Sequence, residues 1–232
     1  MNNIKRDNYW AMMKDGRFRA LRNLPVGWVL QIVHSTDTTE RWFRIISELL
    51  ILCFSYILIN KLNFFSNEIY CFIVVFIVVH TLSWFFVGNF WVYMLDSFKW
   101  VKNPGINDTI KYINLVDRVY KKINCCEAIL IYGSMCRNSF HIRSDLDLRI
   151  IRRTDSLKGF LAIPIGFSLR FYAFFIKMPV DFQVVDSLGF VNKQMRDDEY
   201  PIVVEKSSSF LIVNSGPTFD SVIKNPTSVL KK

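Results

Sequence analysis

Two stretches of the chain carry almost no polar positions. From Trp42 to Asn60 it reads WFRIISELLILCFSYILIN, and from Ile69 to Leu95 it reads IYCFIVVFIVVHTLSWFFVGNFWVYML. A bilayer core about 30 Å thick takes roughly 20 apolar residues of helix. The second stretch meets that length with room to tilt, while the first opens with Arg44 and Glu48 in its early turns. Lys61 to Glu68 is long enough only for a tight turn, so the pattern predicts a two-helix transmembrane hairpin with both ends on one side. A buried hairpin in a soluble protein would need a wet face, and the apolar run from Tyr70 to Val79 leaves none. His80, Trp84 and Gly88 share one face of the second helix, with Asn89 adjoining. Polar groups at that depth turn inward, so these are expected to join helices, against Ser55 or Tyr56 or a second copy of the chain.

Beyond Asn103-Pro104-Gly105 the pattern becomes that of an α/β domain. Ile106, Ile110, Ile113, Val116, Val119, Tyr120 and Ile123 recur at helical spacing and predict a helix over 106–123. Glu127–Tyr132, Asp145–Ile151 and Val180–Val185 read as strands, with weaker signals at Ile202–Glu205 and Phe210–Val213. Before the hairpin, residues 14–35 suit an amphipathic surface helix broken at Pro25. Residues 157–177 are apolar nearly all round. They are expected to lie in the membrane plane with Lys158, Arg170 and Lys177 reaching headgroups, or else to pack on the hairpin or a partner subunit. Three regions follow: a basic N-terminal segment at 1–41, the hairpin at 42–100 and a soluble domain at 101–232.

Composition sharpens this. The chain of 232 residues is 51% hydrophobic and 21% charged, with 21 Phe, which excludes a disordered chain. Its net charge of +9 is uneven: residues 45–96 hold only Lys61 against Glu48, Glu68 and Asp96. Basic flanks on both sides of the hairpin place both termini and the domain in the cytoplasm. No cleavable signal peptide is expected, because a long polar and basic segment precedes the first apolar run. The charge is absorbed by membrane orientation, and no basic groove or stacking platform points to nucleic acid. Five Cys with no pair of C-x-x-C motifs and three scattered His give no zinc site.

The candidate chemistry sits in Gly133-Ser134-Met135-Cys136-Arg137-Asn138-Ser139-Phe140-His141-Ile142-Arg143-Ser144-Asp145-Leu146-Asp147-Leu148. A strand ends in Gly-Ser and should lead into a short helix, where free N–H groups and a small hydroxyl suit phosphate oxygens. Period-two geometry puts Asp145 and Asp147 on one strand face. Two such carboxylates repel unless a divalent cation joins them. Asp181 opens the third strand and is the candidate third carboxylate. Arg149 shares the carboxylate face, where it would meet a phosphate or quiet the aspartates.

This segment resembles the signature of the nucleotidyltransferase superfamily that includes DNA polymerase β, especially its small one-domain members. The resemblance covers about Ile106 to Val213 and leaves the hairpin outside. It implies an α/β (α+β) nucleotidyltransferase-like mixed sheet with flanking helices. By resemblance, Gly133 and Ser134 hold the phosphates of an NTP, with Ser144, Arg137 and Arg149 as further phosphate contacts. Asp145, Asp147 and Asp181 hold two Mg²⁺ ions, or Mn²⁺, and Asp181 helps to activate the attacking hydroxyl. Asn138 stands where the family commonly has Gly and is the best substitute at a left-handed position. The implied activity is transfer of NMP to an acceptor with release of pyrophosphate. The hairpin suggests an acceptor that is lipid-linked or belongs to a glycan pathway. The alternative is a catalytically inactive, regulatory or protein-modifying module, as antitoxin-like members are.

Overall fold

The computed structural model describes residues 19–30, 36–196, 199–208, 210 and 216–231. Helix α1 (Arg19–Leu30) runs straight through Pro25, so the expected break there does not occur. The rest of the predicted 14–35 helix, and the strand at Phe210–Val213 apart from Phe210 itself, lie outside the described residues.

Helix α2 (Thr38–Lys61) starts at Asp37, whose carboxylate accepts from Thr38 N, and α3 (Glu68–Val87) starts at Asn67. The two helices pack through Leu52, Cys71, Val75 and Val79, while Leu50, Phe54, Ile73 and Ile77 stay exposed. An outward face this apolar cannot be left in water, and it suits lipid. Among the described residues three helices are long and apolar enough to cross a membrane: α2, α3 and Leu157–Phe175.

The polar positions of the hairpin find partners other than those expected. His80 Nδ1 stands 2.5 Å from Glu48 Oε1, and Nε2 stands 3.0 Å from the Trp28 carbonyl. His80 therefore does join helices, but through Glu48 of the first span and the backbone of α1 rather than Ser55 or Tyr56. At Asn89 the helix breaks, with φ 56°, and α4 (Phe90–Ser97) sets off in a new direction.

Helix α5 (Ile106–Ile123) has the predicted bounds and buries Ile110, Ile113, Val116 and Tyr120 as expected, with Thr109 and Tyr112 beside them. It precedes β1 (Cys126–Tyr132), β2 (Leu146–Arg152), α6 (Ala162–Phe175, entered through a 3-10 turn at Leu157–Leu161) and β3 (Val180–Val185). Short helix α7 (Leu188–Asn192), β4 (Ile202–Lys206) and α8 (Phe219–Lys224) complete the fold. The sheet is mixed, in the order β3-β2-β1-β4, with β2 parallel to β3 across the α6 crossover and β1 antiparallel to both its neighbours.

Alternation gives the sheet two different faces. Ile129, Ile131, Leu148, Ile150, Phe182 and Val184 point into a dry core under α5 and α6. The opposite face is apolar at one end, through Leu130, Ile151, Val185 and Val191, and carries Asp147, Arg149, Asp181 and Gln183 at the other.

Helix α6 is not laid on headgroups through Arg170. That residue is 3% exposed, and its guanidinium donates to Glu40 Oε1 at 2.5 Å and to the Phe182 carbonyl. Glu40, fully buried in the first turn of α2, also accepts from Arg44 at 2.7 Å and from Val184 N at 2.6 Å. The start of the first apolar helix is thus bolted to the sheet by buried charge. A bare Arg170 in that apolar setting would be costly, and Glu40 supplies the counter-charge.

Candidate active site

The turn after β1 brings backbone and carboxylates together. Gly133 has φ 70°, and a Cβ there would stand 1.8 Å from Asp147 Oδ2. Only glycine lets the Asp147 carboxylate lie flat on this backbone. The segment that follows is a run of hydrogen-bonded turns over 133–138 rather than the short helix expected, with Arg137 N on Gly133 O at 3.3 Å and Ser139 N on Ser134 O at 2.9 Å. Asn138 takes the left-handed conformation, φ 53°. Ser134 Oγ is buried and meets no hydrogen-bond partner.

Strand register sets the acids. Asp147 faces Tyr132 on one side and Asp181 on the other, so the two aspartates are direct neighbours on the polar face, and Asp145 lies two residues before Asp147. Burial, then the charges of Asp147, Asp181 and Asp96, push the Asp145 carboxyl well above the usual range. Burial also pushes Asp147 up to about 6; the charge of Asp181 adds to this and Arg149 opposes it. For Asp181, burial works upward, but the Arg149 guanidinium and the Gln183 amide outweigh it and hold that carboxyl below its ordinary value.

Arg149 Nη2 lies 2.6 Å from Asp181 Oδ2 and 3.8 Å from Asp147 Oδ1, while Nη1 donates to the Asp181 carbonyl at 2.7 Å. The guanidinium stands between the two aspartates and quiets them. Asn89 Nδ2 donates to Asp181 Oδ1 at 2.7 Å, and Gln183 Nε2 lies 3.3 Å from the same oxygen. Arg137 pairs with Glu199. Ser144 is 4% exposed and takes the backbone N–H of His141 on its hydroxyl, so in this state it shapes the loop ahead of β2. Asn103 pins the same loop through the His141 and Ser144 carbonyls.

Oxygen-only donors suit a hard divalent ion. Asp145 and Asp147 fit that role, since each carries a proton affinity that a cation would relieve. Asp181 is adjacent but taken up by three donors. Among the described residues no group of three or more His, Cys, Asp and Glu is arranged to hold a metal ion. Sequence patterning missed Asp96 and Gln183, and it read Asn89 as a helix-joining group ahead of one with a direct role at the substrate. The Gly88-Asn89 pair inside an apolar run was the one local signal, as a helix-breaking dipeptide. The chain has no match among protein-family models, curated proteins or solved structures.

Proposed function

We propose that the chain is a membrane-anchored, divalent-metal-dependent nucleotidyltransferase of the DNA polymerase β type. It has two spans, with both termini and the domain cytoplasmic, and transfers NMP from an NTP to an acceptor with loss of pyrophosphate. The observation that carries this reading is the convergence of Asp145, Asp147 and Asp181 beside a glycine at φ 70° whose missing Cβ makes room for the Asp147 carboxylate. The unpartnered Ser134 hydroxyl supports it. In this reading Gly133 and Ser134 receive the triphosphate, and Asp145 and Asp147 hold Mg²⁺ or Mn²⁺. When bound, the metal would supply positive charge to the entering and leaving oxygens. Asp181, kept ionised by Arg149, orients the acceptor hydroxyl, and Arg149 offers its charge to the phosphates as the aspartates give it up to the cation.

The second reading, a regulatory module without turnover, is favoured by one observation: three donors already occupy Asp181. Pyrophosphate release by the full chain with Mg²⁺ and each NTP, measured over membrane extract as acceptor source, separates the two. The transferase reading expects release that falls at least about a hundredfold in Asp145→Ala and in Asp147→Ala. Release unaffected by both substitutions removes these carboxylates from the reaction, and tight NTP binding without release supports the module.

A further inference from the structure

Asn89 sits where α3 ends and α4 begins, in a left-handed conformation that turns its side chain off the hairpin and onto β3. Its amide meets a carboxylate, which only accepts, so the nitrogen must face Asp181 and the amide oxygen must face away. That oxygen is buried and receives no hydrogen bond. Asn89 lines a narrow crevice together with Phe86, Phe90, Trp91, Phe174 and the buried Arg170. From there a seam of ring contacts leads outward, Phe90 to Phe174 at 5.8 Å, Phe174 to Phe86 at 5.0 Å and Phe86 to Phe175 at 6.0 Å. Phe175 is 60% exposed and Phe171 beside it 46%. Both helices that carry the seam, α3 and α6, belong to the segments long and apolar enough to cross a membrane. The seam therefore joins the candidate third carboxylate to a surface suited to lipid.

We infer that the acceptor is a membrane amphiphile with a hydroxyl-bearing head group, and that Asn89 is its binding residue. This rests on the transferase reading. The head-group O–H donates to Asn89 Oδ1 beside Asp181, and the apolar tail lies along the aromatic seam towards the bilayer. The hydroxyl oxygen attacks the α-phosphorus and forms the new P–O bond. The bond from that phosphorus to the bridging oxygen breaks, and pyrophosphate leaves with the electron pair. The hydroxyl proton leaves its bond to Asn89 Oδ1 as the P–O bond forms, shifts to Asp181 and passes on to water. A soluble polyol would satisfy the same amide oxygen but would leave the seam unused.

The test uses the full chain with NTP labelled at the α-phosphate. One arm supplies vesicles of a total membrane lipid extract, rich in hydroxyl head groups. The other supplies phosphatidylcholine vesicles, which lack them, with free glycerol added. Label entering the organic phase in the first arm alone is the expected result. Asn89→Gly suits the left-handed backbone and keeps the fold, and it should cut that transfer by about tenfold or more while NTP binding in equilibrium dialysis stays within about twofold. Label on glycerol or another water-soluble product overturns the inference, and so does unchanged lipid labelling in Asn89→Gly. Failure of the unaltered chain to bind any NTP in dialysis overturns the transferase reading itself and this inference with it.

Discussion

At Gly133 a single methyl group would collide with the Asp147 carboxylate at 1.8 Å, on a backbone already at φ 70°. Gly133→Ala should therefore cost about 1–3 kcal/mol of stability and displace Asp147, visible as a lowered Tm together with lost pyrophosphate release. Asp147 itself gives a pH prediction. Its folded value is pushed up to about 6, above the ordinary carboxylate range, so its ionisation opposes folding. The stability it contributes when protonated is present below the unfolded value and is lost as pH rises through about 6. In metal-free protein Asp147→Asn should be more stable than the parent at neutral pH by on the order of 2 kcal/mol and should flatten the fall in Tm between about pH 4 and pH 6. Added Mg²⁺ should close the gap. The local sequence made part of this legible: Asn138 is left-handed because Asn tolerates that conformation, and Asp145 and Asp147 share a face because strands alternate. The Asp147–Asp181 adjacency was less accessible, since it depends on a register across 34 residues. The partner of Asn89 lies 92 residues away, beyond the reach of any local pattern.

Among the elements, α5, β1, β2 and β3 follow directly from periodicity, because each has a purely apolar face to bury. Departures occur where long-range charge decides. The apolar look of α6 suggested headgroup contact for Arg170, yet that side chain turns inward because Glu40 waits there. Equally, Arg44 looks like a flaw in an apolar span and is instead a second partner of Glu40. Replacing Glu40 by Gln removes the buried carboxylate that the Arg44 and Arg170 guanidinium groups share. Glu40→Gln should destabilise the protein by about 3–5 kcal/mol, measured as Tm in detergent, whereas breaking an exposed pair such as Lys111–Asp108 should leave Tm nearly unchanged. The Gly-Ser turn shows a different departure. A short helix was expected after β1, but the chain must reach β2 within 13 residues and settles for turns pinned by Asn138.

For the whole molecule, the hairpin and the sheet form one connected structure: Glu40 and Asn89 reach the domain by hydrogen bonds, and the Arg44 guanidinium lies over the Phe167 ring at 5.5 Å. On the proposed topology the tip of the hairpin and the domain lie on opposite sides of the bilayer. In a Cys53→Ser background, Ser66→Cys should react with an impermeant thiol reagent from outside intact cells, while Asp155→Cys should react only after lysis. Both labelled from the same side would refute the two-span arrangement. If Asp145 and Asp147 hold a metal ion against a triphosphate lying on Gly133 and Ser134, a structure of the full chain with Mn²⁺ and a non-hydrolysable NTP should show it. Anomalous density for Mn²⁺ is expected between those two carboxylates, with the triphosphate on the Gly133 turn. Mn²⁺ or nucleotide bound elsewhere, with Arg149 still between Asp147 and Asp181, would refute the transferase site.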